Sequence, residues 1–216
     1  MLNILLIVII VFSTTFFSTL AQAKSIVVIG DSISASYGFE EQHGWVALLE
    51  QKLITSHPDF TMHNASISGD TTAGGLARLP RLLKQYQPTI VILELGANDG
   101  LRGMSIKAMQ ENLSAIIKRS KKSGAQVLLL SMRIPSNYGK RYTDMFYNSY
   151  QKLASKHNIS VVPFILEEIA LDKSRMQQDR LHPNKKAQPI IANHISPYLI
   201  KLISSTKYTP VNKQRE

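Results

Sequence analysis

The feature that most constrains this chain is a set of apolar, β-branched runs that are continuous rather than alternating. Ile26-Val27-Val28-Ile29, Ile90-Val91-Ile92-Leu93 and Val127-Leu128-Leu129-Leu130 leave no polar face, so strands built from them are buried on both sides. Two weaker runs complete the series, which predicts strands over Ser25–Ile29, Thr61–Ala65, Thr89–Leu95, Gln126–Met132 and Ile159–Val162. Between them apolar residues recur at helical spacing: Trp45, Leu48, Leu49 and Leu53; Leu76, Leu79, Leu82 and Leu83; Ile106, Met109, Leu113, Ile116 and Ile117; and Met145, Phe146, Ser149, Tyr150 and Leu153. The Met and aromatic residues of these stripes are expected in the core. Strand alternating with helix predicts an α/β fold with a parallel sheet covered by helices on both faces. A last helix is expected after Asn184, beginning at or bending near Pro189.

The 216 residues suffice for one such domain and are few for two. The first 23 read differently. Leu2 to Phe12 is nearly unbroken hydrocarbon, and the segment closes on Ala21-Gln22-Ala23, the pattern of a secretory signal peptide cut after Ala23. The alternative is a retained anchor, but Ser and Thr interrupt a stretch that would need about 20 predominantly apolar residues to span a bilayer. The expected layout is therefore a signal peptide (1–23), one domain (24–205) and a disordered polar tail (206–216), with export to the periplasm or medium. No cysteine occurs, which removes disulfides, thiol nucleophiles and thiolate metal sites. The net charge of +10 is scattered and reads mainly as solvated helix faces. Transient contact with an anionic membrane surface is a sharper expectation. Nucleic acid is not expected as a partner, because export separates the chain from it.

Ligands of an open parallel sheet bind beyond the carboxyl ends of its strands. Those ends here read Gly30-Asp31-Ser32, Ser68-Gly69-Asp70, Gly96-Ala97-Asn98-Asp99 and Arg133. Ser32 after a glycine turn is a candidate nucleophile, though such serines usually serve as turn or cap residues. Asp179-Arg180-Leu181-His182 places a carboxylate within reach of a histidine, which can fix its tautomer for base catalysis. Alone, His182 is equally a loop histidine ahead of the last helix. Gly69 and Asn98 are candidate oxyanion donors, or a turn residue and a loop brace. Other motifs fail. There is no G-x-S-x-G, no phosphate-binding loop and no H-E-x-x-H. Asp31 lacks the second aspartate, two residues on, of an aspartyl phosphotransferase. His43, His57, His63, His157 and His194 have no ligand-like spacing.

Taken together, these blocks resemble the GDSL lipolytic enzymes, the SGNH hydrolase family. Gly30-Asp31-Ser32-Ile33-Ser34 is similar to the family's first block, with Ile33 where leucine is usual. Ser66 to Thr71, Gly96 to Asp99 (with Ala97 where glycine is frequent) and Asp179 to His182 are similar to three further blocks. The resemblance implies a three-layer α/β/α, flavodoxin-like fold with five parallel strands. It implies a triad of Ser32, His182 and Asp179, and an oxyanion hole of the Ser32 N–H, the Gly69 N–H and the Asn98 side chain. It further implies hydrolysis of small-molecule carboxylic esters, thioesters or lysophospholipids by a monomer without cofactor or metal. The reactions expected are those of an arylesterase, acyl-CoA thioesterase and lysophospholipase. A carbohydrate O-acetyl esterase and a non-catalytic lipid or glycan binder are the alternatives. Leu101, Arg102, Met104, Arg133, Pro135 and Tyr138 follow the third and fourth strands and are candidates for substrate contact, though the two arginines read first as ordinarily exposed or structurally paired residues.

Overall fold

The computed structural model describes residues 24–206. The expected signal peptide and nearly all of the expected tail lie outside them. Among the described residues, five strands form one parallel sheet: β1 (Lys24–Gly30), β2 (Phe60–Asn64), β3 (Ile90–Glu94), β4 (Gln126–Leu130) and β5 (Ser160–Val162). Their spatial order is β2-β1-β3-β4-β5. This is the flavodoxin-like order, and its reversal point falls between β1 and β3. Ile26 pairs with Ile90, and Gly30 with Glu94, so the ends of β1 and β3 are level.

Among the described residues six α-helices cover the sheet: α1 (Trp45–Ser56), α2 (Thr72–Tyr86), α3 (Ala97–Leu101), α4 (Ile106–Lys122), α5 (Lys140–His157) and α6 (Gln188–Thr206). α1 packs against α6, while α2, α4 and α5 form the second layer. The strand residues Ile26, Val28, Ile29 and Ile90 to Leu93 are fully buried, as their two-sided apolar character requires. Met145 departs from its expected place in the core and is half exposed. Phe146, Ser149, Tyr150 and Leu153 already fill the inward stripe of α5, leaving Met145 at its edge.

Local chemistry sets the helix ends. Thr71 and Ser105 cap α2 and α4 by accepting from the Gly74 and Ala108 amides. Arg119, Lys121 and Lys122 in the last turn of α4 complement its dipole, which accounts for part of the basic charge. Asn184 caps a short 3-10 turn, Lys185–Ala187, and α6 begins at Gln188, one residue before Pro189. A proline so near a helix start has no intrahelical bond to lose. α6 continues to Thr206, one residue beyond the expected end of the domain. The fully buried Gln188 accepts from the Trp45 amide and donates to the Asn184 carbonyl, tying the start of α6 to the start of α1.

Gly30 closes β1 where there is no room for a side chain. A Cβ there would lie 2.6 Å from Ser34 Oγ and 2.7 Å from Glu94 Oε2, both buried. Gly30→Ala is therefore expected to destabilise the fold by about 1–3 kcal/mol, as overpacked cores do. The urea midpoint should fall at unchanged slope; a midpoint equal to wild type would contradict the crowding.

Candidate active site

Five loops leave the carboxyl ends of the strands and meet at the reversal point. The first is the turn after β1. The Ala35 amide donates to the Asp31 carbonyl, and Tyr37 N–H to the Ser32 carbonyl, so Ser32 stands at the head of a tight turn with its side chain partly exposed. Arg78 of α2 pins this turn to the loop after β2. Its Nε pairs with Asp70 at 2.8 Å, Nη1 donates to the Ala65 carbonyl, and Nη2 to the Gly30 carbonyl at 3.3 Å. Ile67 N–H adds a bond to the same Gly30 oxygen. Gly69 sits on that second loop at φ +79°, a left-handed conformation that any side chain would strain.

The loop after β3 coils into α3. Asn98 lies in its first turn and donates from Nδ2 to Asp31 Oδ2 at 3.1 Å, beside the nucleophile candidate. The buried Asp99 accepts from the Thr72 amide at 2.9 Å and from the Thr72 hydroxyl at 2.5 Å, locking α3 onto the start of α2. A carboxylate on the first amides of a helix also suits the helix dipole.

His182 arrives on the loop before α6. Its Nε2 lies 2.9 Å from Ser32 Oγ, and its Nδ1 lies 2.6 Å from Asp179 Oδ2. The carboxylate only accepts, so the ring proton belongs on Nδ1 and Nε2 is left to receive the serine proton. The other carboxylate oxygen, Oδ1, accepts from the Leu181 and His182 amides, closing a local turn through Arg180 at φ +58°. Burial pulls the Asp179 pKa upward, but hydrogen bonds from the His182 amide and ring and from the Leu181 amide outweigh it and hold the carboxyl below its ordinary value. Met176 and Pro183 bridge the base of the loop, Gln177 N–H donates to the His182 carbonyl, and the Tyr37 ring lies 4.6 Å from the imidazole.

The structure thus brings Ser32, His182 and Asp179 into one hydrogen-bonded chain, with Asn98 one residue from the serine through Asp31. The candidate substrate residues divide. Arg102 donates to the Gly69 carbonyl at 2.9 Å, and Tyr138 O–H to the Leu101 carbonyl at 2.7 Å. Met104 is exposed on the same rim, its carbonyl held by Tyr142. Pro135 precedes the 3-10 turn Ser136–Tyr138, whose last amide returns to its carbonyl. Arg133 instead lies over the Tyr147 ring at 3.7 Å. Sequence reasoning missed three exposed apolar side chains on these loops, Tyr37, Ile67 and Leu181. It also missed the bracing role of Arg78 and the buried carboxyls of Asp31 and Glu94. Glu94 had a visible signal: a charged residue inside a strand buried on both faces.

Two negative observations bear on the chemistry. Among the described residues no three His, Asp or Glu side chains gather as metal ligands. A concavity lined by Ile165, Glu168, Ile190 and His194 contains none of Ser32, Asn98 and His182.

A parallel sheet of this order, with Ser, Gly, Asn and His on its carboxyl-end loops, defines an α/β hydrolytic enzyme. The chain belongs to the GDSL-like Lipase/Acylhydrolase family, whose model matches residues 28–189. It is 47% identical over 185 residues to the arylesterase of Vibrio mimicus, covering 85% of this chain and 92% of that one. It is 43% identical over 184 residues to thioesterase 1/protease 1/lysophospholipase L1 of Escherichia coli K12, with 85% and 87% covered. Among solved structures, TesA superposes with a TM-score of 0.81 at 45% identity, covering 83% of this chain and 99% of that one. The esterase EstA from Pseudoalteromonas, inhibited by monoethylphosphonate, gives 0.80 at 44% identity, with 84% and 99% covered. The protein is an esterase-type hydrolase of this family.

Arg78 is the brace on which the first two loops depend, and its pair with Asp70 is largely buried, with side-chain exposures of 17% and 11%. Arg78→Met leaves Asp70 without its cation, removes the side-chain donor to the Ala65 carbonyl, and leaves the Gly30 carbonyl with the Ile67 amide alone. A loss of about 3 kcal/mol is expected from a pair broken on one side, read as a lowered urea midpoint; a loss below 1 kcal/mol would mean the loops hold themselves.

Proposed function

We propose that Ser32 is the nucleophile, His182 its general base and Asp179 the group that orients His182. One observation carries this reading: the unbroken chain Ser32 Oγ–His182 Nε2–His182 Nδ1–Asp179 Oδ2, with contacts of 2.9 and 2.6 Å. Ser32 Oγ attacks the carbonyl carbon of an ester or thioester while its proton passes to Nε2. The oxyanion is received by the Ser32 and Gly69 N–H groups and the Asn98 amide. His182 returns the proton to the departing alcohol or thiol, leaving an acyl-Ser32, which water hydrolyses by the same two steps. The relatives' names, arylesterase and thioesterase/lysophospholipase, support carboxylic esters, thioesters and lysophospholipids as the substrate class. The apolar rim of Tyr37, Ile67, Met104, Tyr138 and Leu181 suits an acyl chain better than a sugar, which sets the carbohydrate O-acetyl ester reading second.

The surroundings follow from the same reading. The apolar segment ending at Ala21-Gln22-Ala23 supports export to the periplasm or medium with cleavage after Ala23. Among the described residues no helix is long and apolar enough to cross a membrane. The net charge of +10 together with the apolar rim supports transient contact with an anionic membrane surface. The proposed steps call on no cofactor or metal.

Ser32→Ala is expected to abolish ester turnover and covalent labelling by a fluorophosphonate, and retention of either sinks the assignment. Asn98→Ala should lower kcat about 10²- to 10³-fold. Across p-nitrophenyl esters of rising chain length, palmitoyl-CoA and lysophosphatidylcholine, long acyl chains are expected to give the higher kcat/KM. Highest activity on the acetyl ester would favour the carbohydrate reading.

A further inference from the structure

We propose that Asp31 is a positioning residue that decides which end of the Asn98 amide faces Ser32, and that Glu94 is the buried strut that holds Asp31 in place. The inference rests on the reading of Asn98 as an oxyanion donor.

A side-chain amide has a donating end and an accepting end of nearly equal size. Only the donating end stabilises an oxyanion. Turned over, the same side chain would set a carbonyl dipole against the developing charge. Something beside Asn98 must therefore choose between the two, and among the described residues its side chain is held by Asp31, whose Oδ2 accepts from Nδ2 at 3.1 Å. An ionised carboxylate has no proton to give, so it can hold only the Nδ2 end. One Nδ2 proton is thereby spent on Asp31, and the second remains on the same nitrogen for the substrate.

Asp31 is well built for this task. It is 1% exposed, and Oδ1 is fixed by the Ile33 amide at 3.1 Å. Its own N–H donates to Glu94 Oε2 at 3.1 Å, and Ser34 Oγ donates to the same oxygen at 2.7 Å. Glu94 Oε1 is buried without a hydrogen-bond partner among the described residues. Burial pushes the Glu94 carboxyl well above its ordinary range, the neighbouring charge of Asp31 adding to the effect, so the negative charge of the pair rests more readily on Asp31.

The groups facing Asp31 come from four elements: Glu94 of β3, Tyr150 of α5, His182 of the loop before α6, and Arg78 of α2 on the adjacent Gly30 carbonyl. Burial raises the Asp31 pKa to about 6, against the pull of the Ile33 amide, Glu94, His182 and Asn98. Because the folded value lies above the ordinary one, ionised Asp31 weakens the fold. That cost is present above about pH 6 and is relieved as the pH falls through it. A turn-forming role does not require the charge, since an Asn carbonyl oxygen would accept equally well from the Ile33 amide. The choice of the Asn98 donor does require it. Below about pH 6 the protonated carboxyl gains an O–H that can donate to Asn98 Oδ1, and the choice is lost.

Asp31→Asn keeps the shape and removes the selectivity. The expected result is a fall in kcat of about 10- to 100-fold with KM within about twofold, and a Tm at pH 8 no lower than wild type. In an Asn98→Ala background the same substitution should cost nothing further. Equal losses in both backgrounds would overturn the inference, because Asp31 would then act on the nucleophile turn. An Asn98→Ala protein with unchanged kcat would instead overturn the oxyanion reading itself. Should Asp31→Asn fail to fold, the Asn98 side-chain amide can be followed by NMR in a His182→Ala protein, where no imidazolium contributes. With the downward pull of His182 removed, a titration step centred above the wild-type value of about 6 is expected, and a flat response from pH 5 to 9 overturns the proposal.

Discussion

Two hydrogen bonds to one oxygen hold the centre of this molecule together. Glu94 Oε2 receives the Asp31 amide and the Ser34 hydroxyl, and so joins the end of β3 to the turn that carries Ser32. The level pairing of Gly30 with Glu94 makes this possible, and Gly30 must lack a side chain for the carboxyl to approach. From that junction the rest of the edge is assembled outward. Arg78 ties the second loop to the first, Asp99 locks the third to α2, and Asn98 is left beside Asp31. A parallel sheet brings loops to one edge as a matter of topology; a buried carboxyl brings them into register.

The fold was legible because its strands are buried on both faces, and such runs can be little else once helices alternate with them. The strand boundaries moved by a residue or two, and the reason is visible at β2: Phe60 is buried and extends the strand at its start, while Ala65, expected as its last residue, follows it as a loop residue. Met145 shows the other limit of periodicity, since a helical stripe does not say where its edge falls. At the candidate site, Ser32, Gly69 and Asn98 were marked by position after strands, Asp179 and His182 by their three-residue spacing before the last helix, and all five by resemblance. The supporting groups did not. Arg78 looks like any helix-surface arginine until its three acceptors are seen together, and Tyr37 and Leu181 are ordinary apolar residues whose exposure only the fold reveals. Side chains that act through geometry leave little trace in a single sequence.

The stability and the chemistry of this edge pull in opposite directions. Burial opposes charge on both Glu94 and Asp31, and an ionised Asp31 in this dry interior is costly. Such costs concentrate where a protein needs a fixed electrostatic environment, and the hydrophobic layers of β1, β3 and β4 supply the margin that tolerates them. One share of the basic surface charge, at the C-terminal turn of α4, lies apart from this balance, whereas the largely buried Arg78 belongs to the edge itself.

The loop from Met176 to Pro183 has a consequence for how such sites can be altered. Its bridge, its Asx turn and the left-handed Arg180 make the Asp179–His182 pair self-contained: the carboxylate is bound to the backbone of the very residue whose ring it orients. The proposed base and its partner therefore travel as one cassette, and its displacement alters the 2.9 Å contact to Ser32 and the Tyr37 contacts while the Asp179–His182 pairing is kept. A hinge, an insertion or a graft at the flanks of this loop would tune those contacts while leaving the imidazole correctly protonated. Enzymes that draw the two groups from separate loops must realign both.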